Sequence, residues 1–248
     1  MIKSVFDSIV IVCLFVSISS AELKDGLIGY WKFDEGKGDK VQDKSDKEHH
    51  GEVVEGKSEW VKGKEKTGFY FANTDIKVND HKDFHLEQGV SVALWAKPDG
   101  PQADWAKFVC KQKTGEYPYS LQYDNAQSIF ATVNASGRID TAPKLPSFKE
   151  WSHLCFTYDG EAIVLYKDGK EVARTEGKGK LQQNQEPISI GGRLNSGQDF
   201  KGSIDEVMLY NRGLTAEEVI TIYKGGNLFD IDPTSDKLSL TWSWIKYK

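Results

Sequence analysis

Ten short runs of apolar and β-branched residues punctuate this chain, and that spacing constrains its fold more than any other feature. They fall at 27–33, 69–71, 90–96, 108–110, 119–123, 128–133, 153–158, 162–166, 187–190 and 204–210. Turn dipeptides separate them: Asp99-Gly100, Asp159-Gly160, Asp168-Gly169 and Gly191-Gly192. Many short strands at even spacing indicate an all-β sandwich or barrel. The stretch 158–170, with Asp159-Gly160 and Asp168-Gly169 on either side of an apolar run, reads as consecutive hairpins. With 248 residues the chain is long enough to bury a sizeable core in one domain.

Only one helix is expected. Thr215 can cap it, with Glu218 as capping-box partner, and Ala216, Val219, Ile220 and Tyr223 give an apolar face. Gly225-Gly226 should end it. Beyond it, Leu238, Leu240, Trp242 and Trp244 alternate with Ser239, Thr241 and Ser243. A period of two there suggests an added edge strand, or a strip for contact with another chain. The economical division is an export signal over 1–21, one domain over 23–225 and a tail over 226–248.

The export reading rests on Lys3, the apolar run 9–16 and the small residues Ser19-Ser20-Ala21. The run is too short to span a bilayer, so a membrane span in the mature chain is not expected. The formal charge of −5 argues against a nucleic-acid partner. Removing the signal removes Cys13 and leaves Cys110 and Cys155. An exported pair can oxidise to a disulfide; the alternative is two buried thiols.

Several motifs fail on context. The segment 51–58 (GEVVEGKS) fits the P-loop pattern. A P-loop must open a helix toward phosphate, and Trp60, Gly63 and Gly68 argue against one here. The five histidines do not read as a metal cluster: His49 and His50 point apart on a strand, and His81 and His85 lack the zincin glutamate between them. Aspartates in 230–236 step like an EF-hand but lack its Gly and closing Glu. No Glu-x-Asp-x-Glu run of the glucanase type and no G-x-S-x-G elbow is present, so no catalytic apparatus is expected.

Two carboxylates are more informative. On a regular strand Asp205 shares a face with Val207 and Leu209, and Glu35 shares one with Trp31 and Phe33. A carboxylate at the rim of an apolar face is costly unless paired or metal-bound. Calcium would satisfy both if the two strands are neighbours; solvation or pairing with lysine is the alternative.

The segments Gly26-Leu27-Ile28-Gly29-Tyr30-Trp31-Lys32-Phe33-Asp34-Glu35-Gly36, Val90-Ser91-Val92-Ala93-Leu94-Trp95 and Trp151-Ser152-His153-Leu154-Cys155-Phe156-Thr157-Tyr158-Asp159-Gly160 carry a resemblance. So do Ile188 to Gly192 and Ile204 to Tyr210 followed by Asn211-Arg212-Gly213-Leu214. Together they resemble LamG-like jelly-roll domains of the concanavalin A-like lectin/glucanase superfamily. The resemblance implies a two-sheet antiparallel jelly roll with its first and last strands side by side. It also implies a structural calcium, carried here by Glu35, Asp34, Asp43 and Asp205, although Asp46-Lys47 stand where Gly-Asn is common in that loop. By that likeness the chain is a secreted, non-catalytic recognition domain for carbohydrate; an extracellular protein-interaction domain is the alternative, and a glycoside hydrolase ranks last. Trp105, Tyr117, Tyr119 and Trp60 are the aromatic candidates for stacking on a sugar, with burial in the sandwich as the competing fate. Asn134-Ala135-Ser136 is a glycosylation sequon in a eukaryotic host.

Overall fold

The computed structural model describes residues 20–57, 59–113 and 116–225. Nearly all of the expected export segment, Cys13 and the tail over 226–248 lie outside the described residues. In chain order the elements are α1 (Ser20–Lys24), β1 (Leu27–Trp31), β2 (Lys40–Val41), β3 (Gly51–Glu55), β4 (Trp60–Lys62), β5 (Thr67–Phe71) and β6 (Asp75–Val78). A 3-10 turn (Lys82–Phe84) precedes β7 (Val90–Pro98), β8 (Lys107–Lys113), β9 (Glu116–Tyr123), β10 (Ser128–Asn134), β11 (Arg138–Asp140) and β12 (Leu145–Pro146). Then come β13 (Ser152–Tyr158), β14 (Ala162–Lys167), β15 (Lys170–Glu176), β16 (Ile188–Ile190), β17 (Gly202–Tyr210) and α2 (Ala216–Tyr223).

The strands form two sheets. The first runs β15-β14-β13-β7-β17-β5-β4, with β1 also paired to β17; the second runs β11-β10-β9-β8-β16-β6-β3-β2, with β12 on β10. Neighbouring strands in both are antiparallel. The first and last strands therefore lie together, as the jelly-roll expectation requires, with Trp31 opposite Val207.

Alternation along the strands builds the core. Val90, Val92, Leu94 and Ala96 of β7 face Phe108, Tyr119, Leu121, Ile129 and Val133 of the second sheet in one buried cluster. The odd-numbered partners on the other face of β7 behave differently: Ala93 joins Tyr30, Cys155, Met208 and Tyr210 in a second cluster outside the first sheet. Leu23, Leu214, Val219 and Ile222 close that outer cluster, so α1 and α2 lie against the first sheet. α2 has its capping box, Thr215 with Glu218, as the sequence indicates. Its buried face is set by Val219 and Ile222, whereas Ile220 is exposed, a shift from the expected face.

Three local expectations change. First, Cys110 and Cys155 are both free and buried. Cys110 points outward from the second sheet, where its thiol meets the Gly192 carbonyl at 3.5 Å; Cys155 points outward from the first sheet, under α2. Packed sheets stand about 10 Å apart, and a disulfide needs Cα atoms within about 7 Å, so this pair cannot bridge. Second, β17 carries a bulge: Asp205 faces Trp95 but Met208 faces Ala93, one residue too many. The extra residue puts Asp205 on the outer face while Val207 and Leu209 turn inward, so they do not share a face. Third, β1 stops at Trp31 because Phe33 takes a left-handed backbone (φ 54°), and Glu35 lies in the following loop. The P-loop-like segment is β3 and a turn, with β4 beginning at Trp60, and it opens no helix.

Candidate functional site

The margin where β1 meets β17 holds the expected calcium residues, but no three of them converge. Asp43 is saturated by the protein. Its Oδ1 accepts N–H bonds from Tyr30 and Ser45 at 2.8 Å, and its Oδ2 accepts from Ser45 Oγ (2.8 Å) and the His49 amide (2.9 Å). Four donors fill the four lone-pair sites of a carboxylate. Glu35 Oε1 accepts from the Gln42 amide at 3.0 Å. Asp34 Oδ2 pairs with Lys66 at 3.2 Å. Asp205 is fully buried and accepts from the Glu65 and Glu206 amides. Gly63 and Gly68 leave room for it; a Cβ on Gly63 would stand 2.5 Å from its Oδ2. Burial pushes the Asp205 carboxyl up to about 8, against the pull of those amides. Its neighbour Glu206, also raised by burial, accepts a buried hydrogen bond from the Tyr30 hydroxyl. Among the described residues, no three of Glu35, Asp34, Asp43 and Asp205 bring their oxygens within 4.8 Å of one another.

One trio does meet that distance: His49, His81 and Asp83. The sequence separates His49 from His81, and reading each histidine against its nearest neighbour gave no hint that the loop before β3 and the turn after β6 come together.

The outer face of the second sheet is the other concentration of chemistry. Register lines up one polar row across it: Lys77 opposite Ser189, Ser189 opposite Cys110, Cys110 opposite Ser120, Ser120 opposite Thr132, and Thr132 opposite Asp140. Beside that row Lys107 stands opposite Gln122, and Gln122 opposite Phe130. The inward residues between them (Tyr119, Leu121, Ile129, Ala131) belong to the core, so the polar side chains of β8, β9 and β10 have only the outside to face. Yet most are buried: Ser120, Lys107, Thr132 and Gln122 expose 4% or less.

They are buried because the face is a recess. A depression of about 230 Å³ is lined by Trp105, Lys107, Gln112, Tyr117, Gln122, Thr132, Arg138 and Gln198. A larger one, about 480 Å³, adjoins it through Gln112 and reaches Glu55, Lys77, Ser189 and Arg193. Lys107 donates to Gln122 Oε1, which also accepts from Ser120 Oγ at 3.0 Å. Burial lowers the Lys107 ammonium to about 8, helped by Arg193 and Arg138 and opposed by Cys110. Gln112 Oε1, Thr132 Oγ1 and Gln198 Oε1 are buried there without a hydrogen bond to the protein. Such orphaned atoms cost free energy unless something else completes them.

Of the four aromatic candidates for stacking, two line this recess and two do not. Trp105 stands at its wall, held in a left-handed turn (φ 62°) and packed edge-on against Phe130. Tyr117 faces Arg138, whose guanidinium lies 5.8 Å from its ring. Tyr119 is inside the core, and Trp60 packs on Phe69 with its indole N–H on the Gly38 carbonyl. The sequon residue Asn134 closes β10 with 9% of its surface exposed, which leaves little room for a glycan.

A family model described as "Concanavalin A-like lectin/glucanases superfamily" matches residues 71–220, more than half of the chain. The chain belongs to this superfamily. The matched span contains β7 to β17 and every residue lining the smaller recess. C-reactive protein of Xenopus laevis is 32% identical over 84 residues, 30% of this chain and 35% of that one. Mouse pappalysin-1 is 26% identical over 141 residues, 52% of this chain and 8% of that one. The chain thus spans about a third or less of the length of these relatives. Among solved structures, domain 4 of the extracellular arabinanase AbnA from Geobacillus stearothermophilus, in complex with arabinotriose, aligns with a TM-score of 0.67. It is 20% identical and covers 79% of this chain and 98% of that one. A botulinum neurotoxin type C structure, whose cell entry depends on two ganglioside molecules, aligns at 0.63 with 12% identity, covering 84% of this chain and 53% of that one. At such identities the likeness shows the fold.

Proposed function

We propose that the chain is a secreted, non-catalytic recognition domain that binds carbohydrate in the recess on the outer face of the second sheet. The observation that carries this reading is the set of buried, unbonded oxygens of Gln112, Thr132 and Gln198 beside Trp105 and Tyr117. Sugars present hydroxyls in fixed directions and an apolar C–H face; amides and hydroxyls next to a partly exposed aromatic ring match both. The arabinotriose complex of the AbnA domain and the ganglioside dependence of the toxin support the class of ligand. Glu206, a buried carboxylate on β17 that a hydrolase could use as an acid, is bonded to Tyr30 at the first sheet, away from the recess. The test is a glycan array with the purified domain, followed by Trp105→Ala and Tyr117→Ala. Binding to one glycan class that either substitution weakens at least tenfold supports the reading. Silence across the array together with capture of an extracellular protein would favour the scaffold alternative, and polysaccharide turnover would overturn the non-catalytic assignment.

Calcium belongs to the proposal in a narrower form. Asp43 has no lone pair to spare, so the ion would rest on Asp34 and Glu35, whose Oδ1 and Oε2 are buried without a hydrogen bond. A ligand bound only by the native state stabilises it by mass action. Chelation should therefore lower the melting temperature, added Ca2+ should raise it again, and Asp34→Asn should abolish that response to Ca2+. An unchanged melting temperature would take calcium out of the reading.

A further inference from the structure

We propose that His49, His81 and Asp83 form a binding site for a zinc-like divalent transition metal, separate from the sugar recess. Their ligand atoms all lie within 4.8 Å of one another. His49 Nε2 stands 3.1 Å from Asp83 Oδ2, and His81 Nδ1 stands 3.4 Å from the same oxygen. In a tetrahedral site with bonds of about 2.0–2.1 Å, ligand atoms sit about 3.4 Å apart. The trio is therefore spaced for such an ion with little rearrangement.

The donor chemistry selects the metal. Two imidazole nitrogens and one carboxylate oxygen suit zinc, copper or nickel. Calcium seeks six to eight oxygens and would find one side chain here. Three protein ligands leave one position open to water, the pattern of an accessible site rather than a closed structural one.

The site is also held in place. The His49 side chain is about nine-tenths buried, and its ring packs 4.6 Å from that of Phe84. The His49 amide is tied to Asp43 Oδ2, and its carbonyl accepts the Trp31 indole N–H at 2.9 Å. From the other side, the 3-10 turn presents His81 and Asp83 two residues apart; the Asp83 amide donates weakly to His81 Nδ1 at 3.3 Å, a bond that an ion would replace. A metal here would join the loop before β3 to the connection between β6 and β7.

The experiment titrates metal-stripped full-length chain with Zn2+ by calorimetry and with Co2+ by visible absorption. We expect one ion per chain, cobalt d–d bands of low-coordinate geometry, and a rise in melting temperature with Zn2+ that persists when Ca2+ is already saturating. His49→Ala removes a buried ring and can disturb folding, so the deciding variants are His81→Ala and Asp83→Asn, both at partly exposed positions. Each should weaken Zn2+ at least tenfold while the unliganded melting temperature changes little. His85→Gln, which alters a histidine bonded instead to Asp80 at 2.9 Å, should bind as the parent does. Absence of one-to-one binding, retention of it in His81→Ala and Asp83→Asn, or its loss in His85→Gln alone would overturn the proposal.

Discussion

Asp75 heads β6 with 1% of its surface exposed, facing the Gly191-Gly192 turn. Burial pushes its carboxyl up to about 7, and the negative charges of Asp199 and Glu55 add to the shift. The native state therefore holds this proton more tightly than the unfolded chain does. The resulting stability is complete below about pH 4 and is lost as pH climbs through 7. We expect stability to fall between pH 4 and pH 8, by at most about 4 kcal/mol from this group. Asp75→Asn should flatten that dependence in urea titrations at several pH values; an unchanged slope would show that the charge is compensated. The same scale shows what single residues disclose. That Asp205 needed special treatment was legible from its place in an apolar strand. Its actual partners were not: the Glu65 amide comes from a hairpin 140 residues away, and the adjacent Glu206 amide is turned onto the carboxylate within the β17 bulge. His49 and His81 were hidden in the same way: each is unremarkable alone, and only the three-dimensional fold makes them neighbours.

Elements whose signal is local were read well. Each of the ten expected runs coincides with a strand, although β1 ends at Trp31 and β16 begins at Ile188, and the α2 capping box is present because Thr215 and Glu218 need only each other. The Thr215 hydroxyl accepts the Glu218 amide at 3.2 Å, and Glu218 in turn accepts the Thr215 amide and a two-toothed contact from Arg212. Thr215→Ala should cost about 1 kcal/mol in chemical denaturation, with an unchanged denaturant slope. A loss much larger than that would mean the cap also anchors the turn over 212–214. Strands with weaker patterns carry no apolar run of their own, and β15 is implied only as the second arm of the Asp168-Gly169 hairpin. β15 has one buried residue, Ala173, so an edge strand of charged residues offers no apolar period to detect. The β17 bulge escaped for a different reason. A one-residue insertion is defined against the register of β7, and it reverses every facing argument made from β17 alone.

At the scale of the molecule the two sheets treat their outer faces differently, and that division assigns the roles of the side chains. The first sheet's outer face is closed by α1 and α2 over Tyr30, Cys155, Met208 and Tyr210. The second sheet's outer face is recessed, polar and open along β8, β9 and β10. Cys155 belongs to the covered face and Cys110 to the recessed one, with both sheets between them. Both thiols should alkylate after unfolding without reductant, and dithiothreitol should leave the melting temperature unchanged; a mass deficit of two hydrogens would contradict this. The same division predicts that stability and recognition separate by face. Val219 is fully buried against the first sheet, so Val219→Ala should lower stability by about 1–3 kcal/mol and leave glycan binding within twofold. Trp105 and Tyr117 are only partly buried at the rim of the recess, so their alanine variants should weaken glycan binding at least tenfold with little change in melting temperature. If Val219→Ala abolished binding while Trp105→Ala and Tyr117→Ala did not, the ligand would have to sit on the helix-covered side, and the polar row from Lys77 to Asp140 would need another explanation.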